Sequence, residues 1–347
     1  MMQPRAALAS LPPASFAFVM ATGIVAVAAR QQRFPGLALL FYAVAFLGWV
    51  VLGALCMLRF AWHRERVLAD LRDHLRAPGF FTLVAGTSVL ASGLLVLDLS
   101  VPMAAVLAAI AFSFWLLLTY GVFAALVTKE DKPPLERGIG GGWLLAVVAC
   151  QSIAVVAGLL SPHAGQPLRL HLNFVALCTW LFAGMLYTWV IALIFYRYLF
   201  FRFAPSDLAP PYWINMGAMA ISTLAGAQLA ADASQAPFLE ALAPFVKGFT
   251  ILYWATGTWW LPLLVALTAW RYLVRRDPLR ADALDWSIVF PLGMYSAATH
   301  HMDATVTLGM LAPTDVVFFW LAVLAWAGTA LCRLGTWRRA VRGPAAA

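Results

Sequence analysis

Inside the long apolar runs of this chain, very few side chains have the chemistry to bind or transform a ligand. The adjacent histidines His300-His301 stand out, and such a pair invites a metal or haem reading. Neighbours on one helix point roughly 100° apart, so the two rings do not converge easily on one centre. No HExxH or H-x-x-E-H spacing accompanies them, and no metal or cofactor is expected. Asp98, Asp232, Asp303 and Asp315 fall at the ends of apolar runs, where solvation explains them. Lys247 lies about one turn outside the core of its run and can snorkel to water, so it joins His301 as a residue of an outer mouth. Cys56, Cys150, Cys178 and Cys332 form no C-x-x-C pair and read as buried, inert thiols. The glycines of Gly138-Ile139-Gly140-Gly141-Gly142 lack the Lys-Ser/Thr of a phosphate loop, leaving a flexible approach to the next run. No catalytic residue is expected, and the chain does not read as an enzyme.

What remains is a set of uncharged stripes. At 3.6 residues per turn, Phe290, Gly293, Ala297 and His301 share one narrow face, with Ser287 at its edge. Asn215, Ser222 and Gly226 align in the same way, as do Thr82, Gly86 and Gly93, and Ser15, Thr22 and Ala26. Tight helix packing explains any one stripe, because small residues let helices approach closely. Four stripes of the same character point instead to a shared lumen. Pro291 sharpens that reading: it offers no N–H to the Ser287 carbonyl, so the helix is expected to kink there. Backbone freed in this way is tolerated at bilayer depth only inside protein or beside a water-filled cavity. Phe290 next to it is then a removable plug, since a hydrophobic constriction shuts a pore by excluding water.

The elements that must hold these residues are membrane spans. Of 347 residues 63% are hydrophobic and 11% charged, with a mean hydropathy of +0.84, too much apolar surface for a water-soluble protein. Ten spans are expected, at about 14–30, 36–59, 79–97, 102–127, 141–161, 172–196, 211–231, 243–270, 284–302 and 314–334. The net charge of +8 resides in short loops rather than in a basic stripe interleaved with aromatics, so no nucleic-acid partner is expected. With the N-terminus in the cytoplasm, 19 of the 23 Lys and Arg fall on that side, leaving only Arg30, Arg33, Arg169 and Lys247 outside. That asymmetry predicts both termini in the cytoplasm and an inner or plasma membrane location. Arg5, an apolar run and Ala26-Val27-Ala28 imitate a signal peptide, but the spans that follow favour an uncleaved first span. Even spans are rich in Leu, Phe, Trp and Val, and odd ones in small and hydroxylated residues. The fold expected is therefore an all-α integral membrane protein of five helical hairpins, odd helices inner and even helices outer, around a central pore.

The segments FAFVMATGIVAVAA, PPYWINMGAMAISTLAGA, TGTWWLPLLVAL and WSIVFPLGMYSAAT, with the ten-span pattern, resemble the tellurite-resistance/C4-dicarboxylate transporter family. That family includes bacterial tellurite-resistance channels, yeast malate and sulfite transporters and plant slow anion channels. The resemblance covers essentially the whole chain. It implies odd helices lining a pore in each protomer, a trimer of protomers, and an occluding phenylalanine on the ninth helix, here Phe290. It also implies proline kinks in most inner helices. The third, fifth and seventh spans have no mid-helix proline, so Gly86, Gly93, Gly217 and Gly226 stand in as flexible points. The expected solutes are small inorganic or carboxylate anions, moved through a gated channel or by a proton-coupled dicarboxylate or sulfite carrier. A haem-binding membrane subunit is the rival of a different class.

Overall fold

The computed structural model describes residues 8–202, 204, 207–208, 210–277, 285–307 and 309–342, with side chains to 336. Arg5 and Arg280, counted above among the cytoplasmic charges, lie outside these residues, as do the side chains of Arg338, Arg339 and Arg342. Ten long helices are present among the described residues. They are α1 (Ala17–Gln31), α2 (Pro35–Trp62), α3 (Phe81–Val96), α4 (Val101–Val127), α5 (Leu144–Leu160), α6 (Leu168–Phe200), α7 (Ile214–Ala231), α8 (Pro237–Ala269), α9 (Trp286–Val306) and α10 (Ala312–Arg342). Nine of these segments are long and apolar enough to cross a bilayer. The remaining one, α9, has 21 residues but carries Ser, Thr, His and Asp side chains that lower its apolarity.

Each odd helix packs on the even helix that follows it, and α1, α3, α5, α7 and α9 touch in sequence, with α9 returning to α1. The odd helices thus form a closed inner ring. Burial follows this division. The apolar windows of α1, α3, α5 and α7 are 78–94% buried, whereas those of the even helices are 17–50% buried. Leu47, Leu117, Trp189 and Leu324 on even helices are widely exposed, as side chains facing lipid are. Two of the four thiols, Cys178 and Cys332, are also on this outer surface, whereas the sequence suggested that all were buried.

A repeated hydrogen bond ties each even helix to the inner helix of the next hairpin. The indole N–H of Trp49 on α2 donates to Thr87 Oγ1 on α3 at 2.9 Å. Trp180 on α6 donates to the Ser222 carbonyl on α7 at 2.9 Å, and Trp254 on α8 to Thr299 Oγ1 on α9 at 3.0 Å. Trp326 on α10 closes the circle by donating to Thr22 Oγ1 on α1 at 2.9 Å. Trp115 on α4 reaches the Cys150 thiol of α5. An indole N–H has no water to bond in hydrocarbon, so a hydroxyl or carbonyl on the neighbouring helix is its natural acceptor. These tryptophans are structural ties between neighbouring helices.

At the end where the odd helices begin, a buried ion pair fixes the turn between α2 and α3. Arg59 Nη2 lies 2.6 Å from Asp70 Oδ2, with only 5% and 11% of the two side chains exposed, and Arg76 Nε adds a 2.5 Å contact to Oδ1. Burial alone raises the Asp70 carboxyl, and the hydrogen bonds from Arg76 and Arg59 outweigh it, holding the group below its ordinary range. Its stabilising contribution is present above the unfolded value of about 3.9 and is lost as the pH falls through the lowered native value. Asp70→Asn leaves Arg59 buried and uncompensated and is expected to cost about 3 kcal/mol, read as a lower melting temperature in detergent.

Candidate functional site

The inner ring encloses a narrow cavity of about 30 Å³, room for a water or two, walled by all five odd helices. Close contacts between helices set the level of each lining residue. A Cβ at Gly293 would stand 3.0 Å from Ile24, one at Gly158 2.8 Å from Gln228, and one at Gly217 2.8 Å from the Pro291 ring. With α3 aligned through the contact of Gly23 with Val89, the lining sorts into three layers. The deepest layer holds Ile24, Ser88, Ser152, Ile221 and Met294. Val27, Ser92, Val155 and Leu224 form the middle, and Gln31, Gln228 and His301, with the apolar Val96 and Leu159, the rim. No Asp, Glu, Lys or Arg side chain lines it.

Phe290 has no solvent exposure and lies one helical turn, about 6 Å, below Met294. Its direction follows from its neighbours. On a wheel of roughly 100° per residue, Gly293 faces α1, Pro291 faces α7, and Thr299 and Ser296 face the outer helices α8 and α10. Phe290, Met294 and His301 fall within about 40° of one another, between the α1 and α7 faces and toward the bundle axis. Ala297 shares this face. A second cavity of about 710 Å³ opens at the N-terminal ends of α1, α3, α5 and α7. Arg76, Arg137 and Arg197 line it with Glu136, Asp207 and Tyr212. Arg197 is 3.3 Å from Asp207 and donates to the Tyr212 hydroxyl, and Arg76 is held by Asp70, so most of this positive charge is paired. Gly141 also lines it, and a Cβ there would stand 2.5 Å from the Pro211 carbonyl oxygen, so a close approach rather than flexibility calls for that glycine.

Other residues singled out in the sequence are placed differently. Thr22 accepts from Trp326 and Ser222 lies at the bond from Trp180, both turned to outer helices. A Cβ at Gly226 would meet Thr250 and Trp180, one at Gly93 would meet Tyr42 on α2, and one at Gly86 would touch Val19. Thr82 donates to the Gly79 carbonyl and Ser15 to that of Pro12. Asn215 and Ala26 share the sides of Ser222 and Thr22, away from the cavity, and Ser287 Oγ is buried with no hydrogen-bond partner among the described residues. The other small and hydroxylated residues singled out on α1, α3 and α7 therefore serve helix contacts, and branched apolar residues with Ser88, Ser92, Ser152, Gln31 and Gln228 form the wall. Gly217 likewise seats the proline ring rather than acting as a hinge. Gly217→Val should overpack this contact by about 1–3 kcal/mol, and Pro291→Ala in the same chain should recover part of the lost melting temperature.

At the other end, His301 reaches the cavity rim, while Lys247 stands on the exposed face of α8 and does not line it. His300 turns away to Asp315, Nδ1 to Oδ2 2.8 Å, and the planes of the two imidazoles are 88° apart. Asp98 is exposed beside Arg30, but Asp232 and Asp315 are 3% and 4% exposed, so solvation does not account for them. No cluster of three His, Cys, Asp or Glu side chains with metal-holding geometry occurs among the described residues.

Comparison with known proteins adds to this geometry. The sequence profile of the family described as voltage-dependent anion channel (SLAC1) matches residues 10–334. A protein of Mycobacterium tuberculosis, named an uncharacterized membrane protein, is 38% identical over 149 residues, 43% of this chain and 75% of its own. Two proteins of Methanocaldococcus jannaschii, each named an uncharacterized transporter, are 26% identical over 332 and 326 residues, covering 90% or more of this chain and 90% of theirs.

Proposed function

The chain belongs to the voltage-dependent anion channel family, and from that premise we propose that it is a gated path for small anions, shut at Phe290. The observation that carries the reading is the position of Phe290: fully buried, directed to the bundle axis, and one turn below a cavity walled by all five odd helices. The cavity offers an anion neutral hydroxyl and amide donors in an apolar wall. Such a wall favours ions that shed water readily and holds none of them tightly enough to stop flow. The reading takes the basic end as cytoplasmic, which the loop charges support, and the assembly as a homotrimer in the inner or plasma membrane. Anion current through the purified protein in planar bilayers, with and without the Phe290 ring, is the test.

A second reading, a proton-coupled carboxylate or sulfite carrier, draws on one observation: His301, a titratable group, sits on the cavity rim. Uptake that follows a pH gradient and fails in His301→Gln would favour it.

A further inference from the structure

Asp232 ends α7 at the cavity rim, and its carboxylate is held by neutral donors. Gln228 Nε2 lies 3.2 Å from Oδ2, Ser161 Oγ 3.5 Å from Oδ2, and Gln235 Nε2 3.3 Å from Oδ1. No ion pair among the described residues includes it. The ionisable groups on the elements around it are few. His163, in the turn that carries Ser161, is exposed. Arg169 on α6 spends its guanidinium on the carbonyls of Ala164 and Pro162. His171 on α6 and Glu240 and Lys247 on α8 are exposed, and His301 on α9 occupies the same rim. The side chain that links Asp232 to the lumen is Gln228, itself a lining residue.

We propose that Asp232 is a proton-operated positioning residue, which sets through Gln228 whether the cavity rim repels or receives an anion. The inference rests on the anion-path reading. An ionised carboxylate only accepts hydrogen bonds, so it draws the Gln228 amide nitrogen to itself and leaves the amide oxygen for the lumen. Once protonated, the acid donates its O–H to Gln228 Oε1. The amide then turns, its N–H groups face the cavity beside Gln31, and the negative charge at the rim is gone. Both changes favour an anion. Burial pushes the Asp232 carboxyl up to about 6, within reach of a modest acidification.

The test is anion current through the Phe290→Ala protein in planar bilayers, with chloride as the ion, as the bath facing the C-terminal end of α7 is taken from pH 7.5 to 5. Current should rise about tenfold, the Coulomb effect of one charge ~10 Å from the path at an effective dielectric of about 20. Asp232→Asn, nearly isosteric, should be fixed at the high level and lose the pH response, while His301→Gln should keep it. Gln228→Met retains the acid and removes the link, and its response should shrink. A pH response that survives in Asp232→Asn, or one absent from the parent protein, overturns the proposal while leaving the anion path intact. An undiminished response in Gln228→Met assigns the effect to charge alone and overturns the positioning role. Absence of anion current in every form and at every pH removes the anion-path reading and this inference with it.

Discussion

Phe290→Ala is expected to raise anion conductance about tenfold or more, the change that lowering a barrier by ~1.4 kcal/mol produces. The ring is fully buried one helical turn below the cavity walled by the odd helices, so on the proposed reading its truncation opens a wetted path. A path this narrow and apolar excludes water when the ring is in place, and dewetting alone stops ions. The effect should grow with the volume removed, leucine opening the path less than alanine. Tryptophan should leave it shut. Measured as single-channel or macroscopic current at matched protein density, the series distinguishes a plug from a residue that only stabilises α9.

The second large effect concerns the sign of the charge that passes. Met294 lines the cavity one turn beyond Phe290, and no carboxylate shares that deepest layer. Adding Met294→Glu to Phe290→Ala places a charge within about 4 Å of any ion in the path, worth ~4 kcal/mol at an effective dielectric of about 20. Chloride current should fall about a thousandfold relative to Phe290→Ala alone, a tenfold change being ~1.4 kcal/mol. The measurement belongs at pH 8, where the introduced acid is ionised, and acidification should restore part of the current. Met294→Gln, of similar size and uncharged, should leave the current close to that of the parent. Loss of current in the glutamine form as well would point to packing rather than charge.

The long apolar helices were legible in the sequence because each crossing of a bilayer needs about twenty apolar residues. The inner and outer roles were legible too, since odd helices carry the small and hydroxylated side chains. Which side of those helices faces the lumen was not. Thr22, Ser222 and Gly226 have the composition expected of a polar lining, yet they receive tryptophans and neighbouring helices. Small residues are needed wherever two helices nearly touch, and an indole N–H in hydrocarbon needs an acceptor, so composition does not separate lumen from contact. Of the α9 stripe, His301 lines the cavity, whereas Gly293 meets Ile24 of α1. Pro291 and Gly293 fix the two flanks of α9 against α7 and α1, which leaves Phe290 the central direction. Asp232 was assigned to solvent because it follows the last apolar residue of its span. Only the fold brings Ser161 and Gln235 over it and buries it.

Reversal potential in the Phe290→Ala protein tests the central claim most directly. With a tenfold potassium chloride gradient across a planar bilayer, the current should reverse near the chloride equilibrium potential and follow chloride when that ion is replaced by gluconate. A reversal at the potassium potential, or no current above that of the unaltered protein, would contradict an anion path closed by Phe290.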